Sequence, residues 1–189
     1  MNGRELVVGV TSGVAAYKTA ALVSQLVQQG AGVTVVMTRA ARRFVGPATF
    51  AALTGREVLS RSFEIAAHPL GAHIELARRA ELLCVAPATA NFLAKAAHGV
   101  ADDLLSTLLL AFAGPVLLAP TMNAEMWEKP AVQRNVEQLR RDGLQIIDPE
   151  QGWLSCRTQG VGRMASPETI FEAIQSRLSW AASGKAAGK

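Results

Sequence analysis

Short, almost unbroken apolar runs recur along the chain, separated by longer stretches with helical spacing. The runs are ELVVGVT (5–11), GVTVVMT (32–38), ELLCVAP (81–87), PVLLAP (115–120) and LQIID (144–148). Their length and β-branched content predict strands, and the lack of polar alternation predicts a sheet covered on both faces. GVAAYKTAALVSQLVQQG (13–30) predicts a helix closed by Gly30. DDLLSTLLLAF (102–112) and PAVQRNVEQLRRDG (130–143) predict two more, the first with Asp102 and Asp103 at its positive end. In SPETIFEAIQSRLSW (166–180), Ser166 is placed to cap a final helix. Pro167 fits its first position, and Glu168 puts negative charge in the first turn. HIELARRAE (73–81) predicts a short helix before the third strand.

This alternation predicts an α/β fold: a three-layer, doubly wound, Rossmann-like (flavodoxin-like) arrangement with a mostly parallel sheet and right-handed crossovers. No linker or repeat interrupts the pattern. Residues 1–181 are therefore read as one domain and 182–189, ASGKAAGK, as a flexible tail. The stretch QGWLSCRTQGVGRM (151–164) fits neither period and reads as a flexible, glycine-rich connection that could close over a site.

Composition narrows the class. Half of the residues are apolar and 18% charged, which suits a packed globular chain with buried subunit contacts. The net charge of +4 is modest, its basic pairs are scattered, and aromatic residues make up only 5%, so nucleic-acid binding is not expected. Two cysteines make no disulfide framework and point to a reducing compartment. No apolar run approaches the roughly 18 residues of a membrane span, and the N-terminus enters a strand pattern directly, without a signal segment. The expectation is a soluble cytoplasmic protein.

Ligands of such folds sit beyond the carboxyl ends of the strands. There stand TSG (11–13), TRA (38–40), PATAN (87–91) and PTMNAEMW (120–127). Thr11, Ser12 and Gly13 form either a phosphate cradle or a plain helix-capping turn; neither the dinucleotide fingerprint nor the Walker loop is present. Thr38 and Arg39 either reach the same anion or cap RAARRF. Thr89 and Asn91 offer hydrogen bonds to a ligand or an N-cap to the next helix. Met122 and Met126 can wall a flat ligand, and the Asn123 amide can donate to a carboxylate; alternatively, Met126 and Trp127 are core residues.

Among the histidines, His98 falls at a helix C-terminus as a dipole-complementing cap, His68 precedes Pro69 without an evident partner, and His73 is the catalytic candidate. Metal-ligand spacing is lacking, so no metal site is expected. Cys84 is predicted to be a small buried hydrophobe. Cys156, near Arg157 and Arg163, is either a reactive thiol or an incidental one.

Taken together, GVTSGVAAYK, RFVGPATFAALTG, HIELARRAELLCVAPATANFLAKAAHGVADDLLSTLLLA, PTMNAEMWEKPAVQRN and GVGRM resemble the flavin-dependent cysteine decarboxylases. The likeness covers nearly the whole chain and points to the members that act on 4′-phosphopantothenoylcysteine in coenzyme A synthesis. It implies an FMN-binding homo-oligomer, a trimer or a dodecamer assembled from trimers, with each active site at a subunit interface. By motif position it implies Ser12, Gly13 and Thr38 at the FMN phosphate. Ala88, Thr89, Asn91 and Met122 would lie around the isoalloxazine, with Thr11 and Phe44 among the other cofactor contacts. His73 would be the essential histidine, contributed across the interface. Asn123 would grip the substrate carboxylate, Met126 would shape the pocket, and Arg163 and Met164 would complete the substrate site. Cys156 would donate a proton in the reductive step that yields 4′-phosphopantetheine. The two other readings within the family are oxidative decarboxylation of a C-terminal peptidyl cysteine (lantibiotic-type) and a non-catalytic FMN-binding regulatory subunit. Two positions depart from the common pattern: Arg157 stands where glycine is usual, and Val161 where proline is. Many bacterial relatives continue into a ligase domain, so the chain is read as either monofunctional or a piece of a longer protein.

Overall fold

Along strand β1 (Glu5–Val10), consecutive side chains enter different cores. Leu6, Val8 and Val10 pack into one apolar cluster, and Val7 joins a second on the opposite face. The pleat sends alternate residues to opposite sides, and both sides are covered, which is why the run carries no polar alternation. The computed structural model describes residues 1–61 and 70–186; His68 lies outside the described residues.

After β1 the elements are α1 (Ala16–Gln28), β2 (Gly32–Met37), a 3-10 turn (Ala41–Arg43), α2 (Pro47–Thr54), α3 (Ala72–Arg79), β3 (Leu82–Ala88), α4 (Ala90–Ala97) and α5 (Leu104–Ala111). There follow β4 (Val116–Pro120), α6 (Ala124–Trp127), α7 (Pro130–Arg141), β5 (Gln145–Ile146), β6 (Glu150–Trp153), β7 (Gln159–Arg163) and α8 (Pro167–Ala186). The first five strands form one parallel sheet in the order β2-β1-β3-β4-β5. Helices α1, α2 and α8 cover one face, and α3, α4, α5 and α7 the other. This is the predicted three-layer, flavodoxin-like architecture. Its strand order reverses between β1 and β3, and there the carboxyl ends of the strands open a crevice.

Local chemistry ends the helices where the sequence suggests. Gly30 follows α1 at φ +81°. Asp103 caps α5 and exchanges reciprocal hydrogen bonds with Ser106. The Ser166 hydroxyl accepts from the Thr169 amide at 3.1 Å, starting α8. That helix continues to Ala186, beyond Trp180 and into the segment read as a tail. Cys84 is fully buried in β3, and desolvation pushes its thiol up to about 12, as suits an inert core residue.

One expectation is corrected. Residues 151–164 are not an irregular connection: β6 and β7 form an antiparallel hairpin packed against the start of α6. At the other end of the sheet, Glu5 accepts two hydrogen bonds from Arg56, at 2.6 and 2.7 Å, and Arg79 reaches the buried Thr34 hydroxyl at 2.7 Å. Among the described residues no helix is long and apolar enough to cross a membrane.

Candidate functional site

The end of β1 is tied to the end of β3 through one hydroxyl. Thr11, 2% exposed, donates its Oγ1–H to the Pro87 carbonyl at 2.7 Å and accepts from the Thr89 amide at 3.1 Å. Thr11 therefore builds the crevice floor, its hydroxyl proton committed within the protein. Above it lies a cavity of about 220 Å³ lined by Ser12, Thr38, Arg39, Thr89, Asn91 and Lys95, among others. Thr38 Oγ1 caps the 3-10 turn by accepting from Ala41, and Thr89 Oγ1 caps α4 by accepting from Phe92, both at 3.3 Å. Each hydroxyl keeps its proton free to donate. Lys95 pairs with Asp102 at 2.6 Å, which holds the ammonium above its ordinary range. Hydroxyl donors, cations and two helix starts around a small volume suit a phosphate group.

A second cavity, about 470 Å³, lies between the first turn of α1, the Thr121–Asn123 segment and the hairpin. Asn123 caps α6: its Oδ1 accepts from the Met126 amide at 2.9 Å. The cap orients the amide and leaves Nδ2 to donate. Lys18 extends from α1, donates from Nζ to the Met164 carbonyl at 3.2 Å, and shares the cavity wall with Arg163. Burial first, and then the Arg163 charge, pull the Lys18 ammonium below its ordinary range, against weaker attraction from Glu150 and Glu168.

The hairpin forms one side of that cavity by close backbone approach. The Met122 amide and the Thr121 hydroxyl both donate to the Gly162 carbonyl, at 3.0 and 3.1 Å. At its tip the Arg157 amide donates to Leu154 O at 3.0 Å, and the Leu154 amide donates to Thr158 O at 2.8 Å. The loop is thus Ser155-Cys156-Arg157, a turn followed by one left-handed residue, the arrangement of a three-residue hairpin. The left-handed position is Arg157, at φ +63°. Cys156 is exposed there, with its Sγ 3.0 Å from the Thr158 hydroxyl.

The cavities therefore gather most of the sequence candidates. Thr11, Ser12, Thr38, Thr89 and Asn91 line the first; Gly13, Met122, Asn123, Arg163 and Met164 line the second. Met164 is 1% exposed and anchored in the core, so it serves the site through its carbonyl. Ala88 is fully buried in β3, and its carbonyl accepts from the Thr121 amide. Phe44 (53% exposed), Met126 (47%) and Cys156 lie outside both cavities. Trp127, by contrast, packs against the second core. His73 opens α3 apart from either cavity, and its Nδ1 is buried without a hydrogen-bond partner among the described residues. Lys18 was missed. Its signal was a lysine in the first turn of a helix, where the dipole disfavours a cation.

Two cavities at the carboxyl ends of a doubly wound parallel sheet define a small-molecule-binding α/β protein. The chain belongs to the Flavoprotein family, whose model matches residues 1–179. It is 44% identical over 189 residues to the coenzyme A biosynthesis bifunctional protein CoaBC of Bacillus subtilis (strain 168). That match takes in all of this chain and 47% of the relative, so the chain spans about half the relative's length. The FMN-dependent cysteine decarboxylase SpaF is a structural neighbour at TM-score 0.81 and 38% identity, covering 95% of this chain and 98% of SpaF. A cysteine-to-serine variant of a PPC decarboxylase, complexed with pantothenoylaminoethenethiol, superimposes at TM-score 0.83 and 29% identity. That likeness covers 94% of this chain and 98% of the other.

Proposed function

We propose that the chain is an FMN-dependent decarboxylase that converts 4′-phosphopantothenoylcysteine to 4′-phosphopantetheine in coenzyme A synthesis. The carrying observation is the second cavity: an oriented Asn123 amide beside Met122 and two cations, bordered by a hairpin with a thiol at its tip. The residues of the first cavity fit FMN, with Ser12, Thr38 and the adjoining Gly13 turn toward its phosphate. When bound, FMN supplies the reversible oxidation of the thiol-bearing carbon that creates an electron sink for the departing carboxylate.

The chain's own residues bind, orient and move protons. Asn123 Nδ2 donates to the substrate carboxylate and holds it in place. His73 assists deprotonation of the substrate. Cys156 returns a proton to carbon in the reductive step, and the hairpin around it excludes water from the reactive product. We further propose a homo-oligomer built from trimers. His73, Phe44 and Cys156 stand outside the single-chain cavities, and the His73 Nδ1, buried without a partner among the described residues, is a group that a neighbouring subunit or ligand would satisfy. A cytoplasmic setting is part of the proposal, supported by the two free thiols, one of them exposed, which suit a reducing compartment.

Mass spectrometry of products from 4′-phosphopantothenoylcysteine and from a peptide ending in cysteine tests the reading. 4′-Phosphopantetheine is the expected product. An enethiol from the peptide alone would establish the oxidative reaction, and a yellow protein that turns over neither would be a regulatory subunit.

A further inference from the structure

Lys18 and Arg163 come from elements at opposite ends of the chain, yet both line the 470 Å³ cavity that holds Asn123. Among the described residues no acidic side chain lines it. Lys18 Nζ gives one proton to Met164 O and keeps two. The Arg163 guanidinium makes no ion pair or hydrogen bond among the described residues. Its side chain lies across Gly152 of the neighbouring strand, where a Cβ would stand 3.1 Å from the Arg163 Cδ. Two like charges that repel each other are held beside this cavity, and the acidic groups that attract Lys18, Glu150 and Glu168, do not line it. Tyr17 and Trp153, 62% and 63% exposed, line the same cavity and offer apolar surface.

From this geometry we infer that Lys18 and Arg163 are the seat of the substrate's phosphate, and that this pair selects a phosphorylated pantothenoyl chain over a peptidyl cysteine. A phosphate dianion supplies the missing charge and accepts from both cations. Asn123, in the same cavity, takes the carboxylate at the other end, and the aromatic pair covers the apolar chain between. The inference rests on the decarboxylase reading only for the identity of the molecule that carries the phosphate.

The test uses FMN-loaded protein and two non-reacting probes, 4′-phosphopantothenate and pantothenate, titrated calorimetrically. The phosphorylated probe is expected to bind at least about tenfold tighter to the unmodified protein. Arg163→Gln and Lys18→Gln should each weaken it roughly 10- to 100-fold, leave pantothenate within about twofold, and retain the flavin. Lys18→Arg should restore the preference. Because Arg163 is exposed and makes no ion pair among the described residues, its variant keeps the test valid even if Lys18→Gln fails to fold. Equal weakening of both probes, or an unchanged preference in the variants, would overturn the inference. So would loss of FMN from Arg163→Gln, which would place the cofactor's phosphate here instead. Turnover of 4′-phosphopantothenoylcysteine without any phosphate preference would sink the seat and leave the decarboxylase reading standing. Preference without turnover would do the reverse.

Discussion

Gly162 and Met122 are locked face to face: the Met122 amide donates to the Gly162 carbonyl at 3.0 Å, and a Cβ on Gly162 would overlap the Met122 carbonyl oxygen. Gly162 also sits at φ +153°, so a side chain is excluded twice. Gly162→Ala should cost about 2 kcal/mol from overpacking and backbone strain. That predicts a melting temperature lower by roughly 4–8 °C, together with a shift in Trp153 fluorescence as the hairpin lifts.

Arg157 holds a left-handed conformation that glycine adopts freely. Arg157→Gly should therefore tighten the hairpin tip by about 1 kcal/mol. The Leu154 amide, bonded to Thr158 O, should then exchange with deuterium roughly fivefold more slowly. Unchanged or faster exchange would show that the turn carries no strain at this position.

The proposed roles of His73 and Cys156 separate in the products. His73→Asn should abolish carbon dioxide release while the protein stays yellow. Cys156→Ser should still release carbon dioxide but accumulate the enethiol by mass spectrometry. Full 4′-phosphopantetheine formation by Cys156→Ser would remove the thiol from the mechanism.

Glu5 titrates below its ordinary range, chiefly because Arg56 hydrogen-bonds its carboxylate. The pair's contribution is therefore complete above the unfolded carboxylate value of about 4.3 and is lost as the pH falls through the lower folded value. With side chains about one third exposed, Glu5→Gln should cost about 1 kcal/mol at neutral pH. In denaturant titrations the difference from the unmodified protein should shrink as the pH falls below the unfolded carboxylate value of about 4.3. A pH-independent difference would assign the loss to packing.

The sequence by itself determined the layers and the strand ends. Buried parallel strands must be apolar throughout and amphipathic helices must cover them, so the alternation of the two is legible without coordinates. Motif position marked Ser12, Thr38, Thr89, Asn91, Met122 and Asn123, because β-strand carboxyl ends are where this fold puts ligands. Tertiary structure alone decided how distant segments meet. The hairpin was invisible because its strands are polar and glycine-rich: Gly160 and Gly162 are there for close approach to Met122 and Ala124, a demand set by another part of the chain. The pairing of Lys18 with Arg163 was equally hidden, since electrostatic proximity across 145 positions leaves no local pattern. Thr11 reads from the sequence as a ligand contact or a capping turn; it lines the first cavity and also ties two strands, because only the folded sheet brings Pro87 and Thr89 to its hydroxyl.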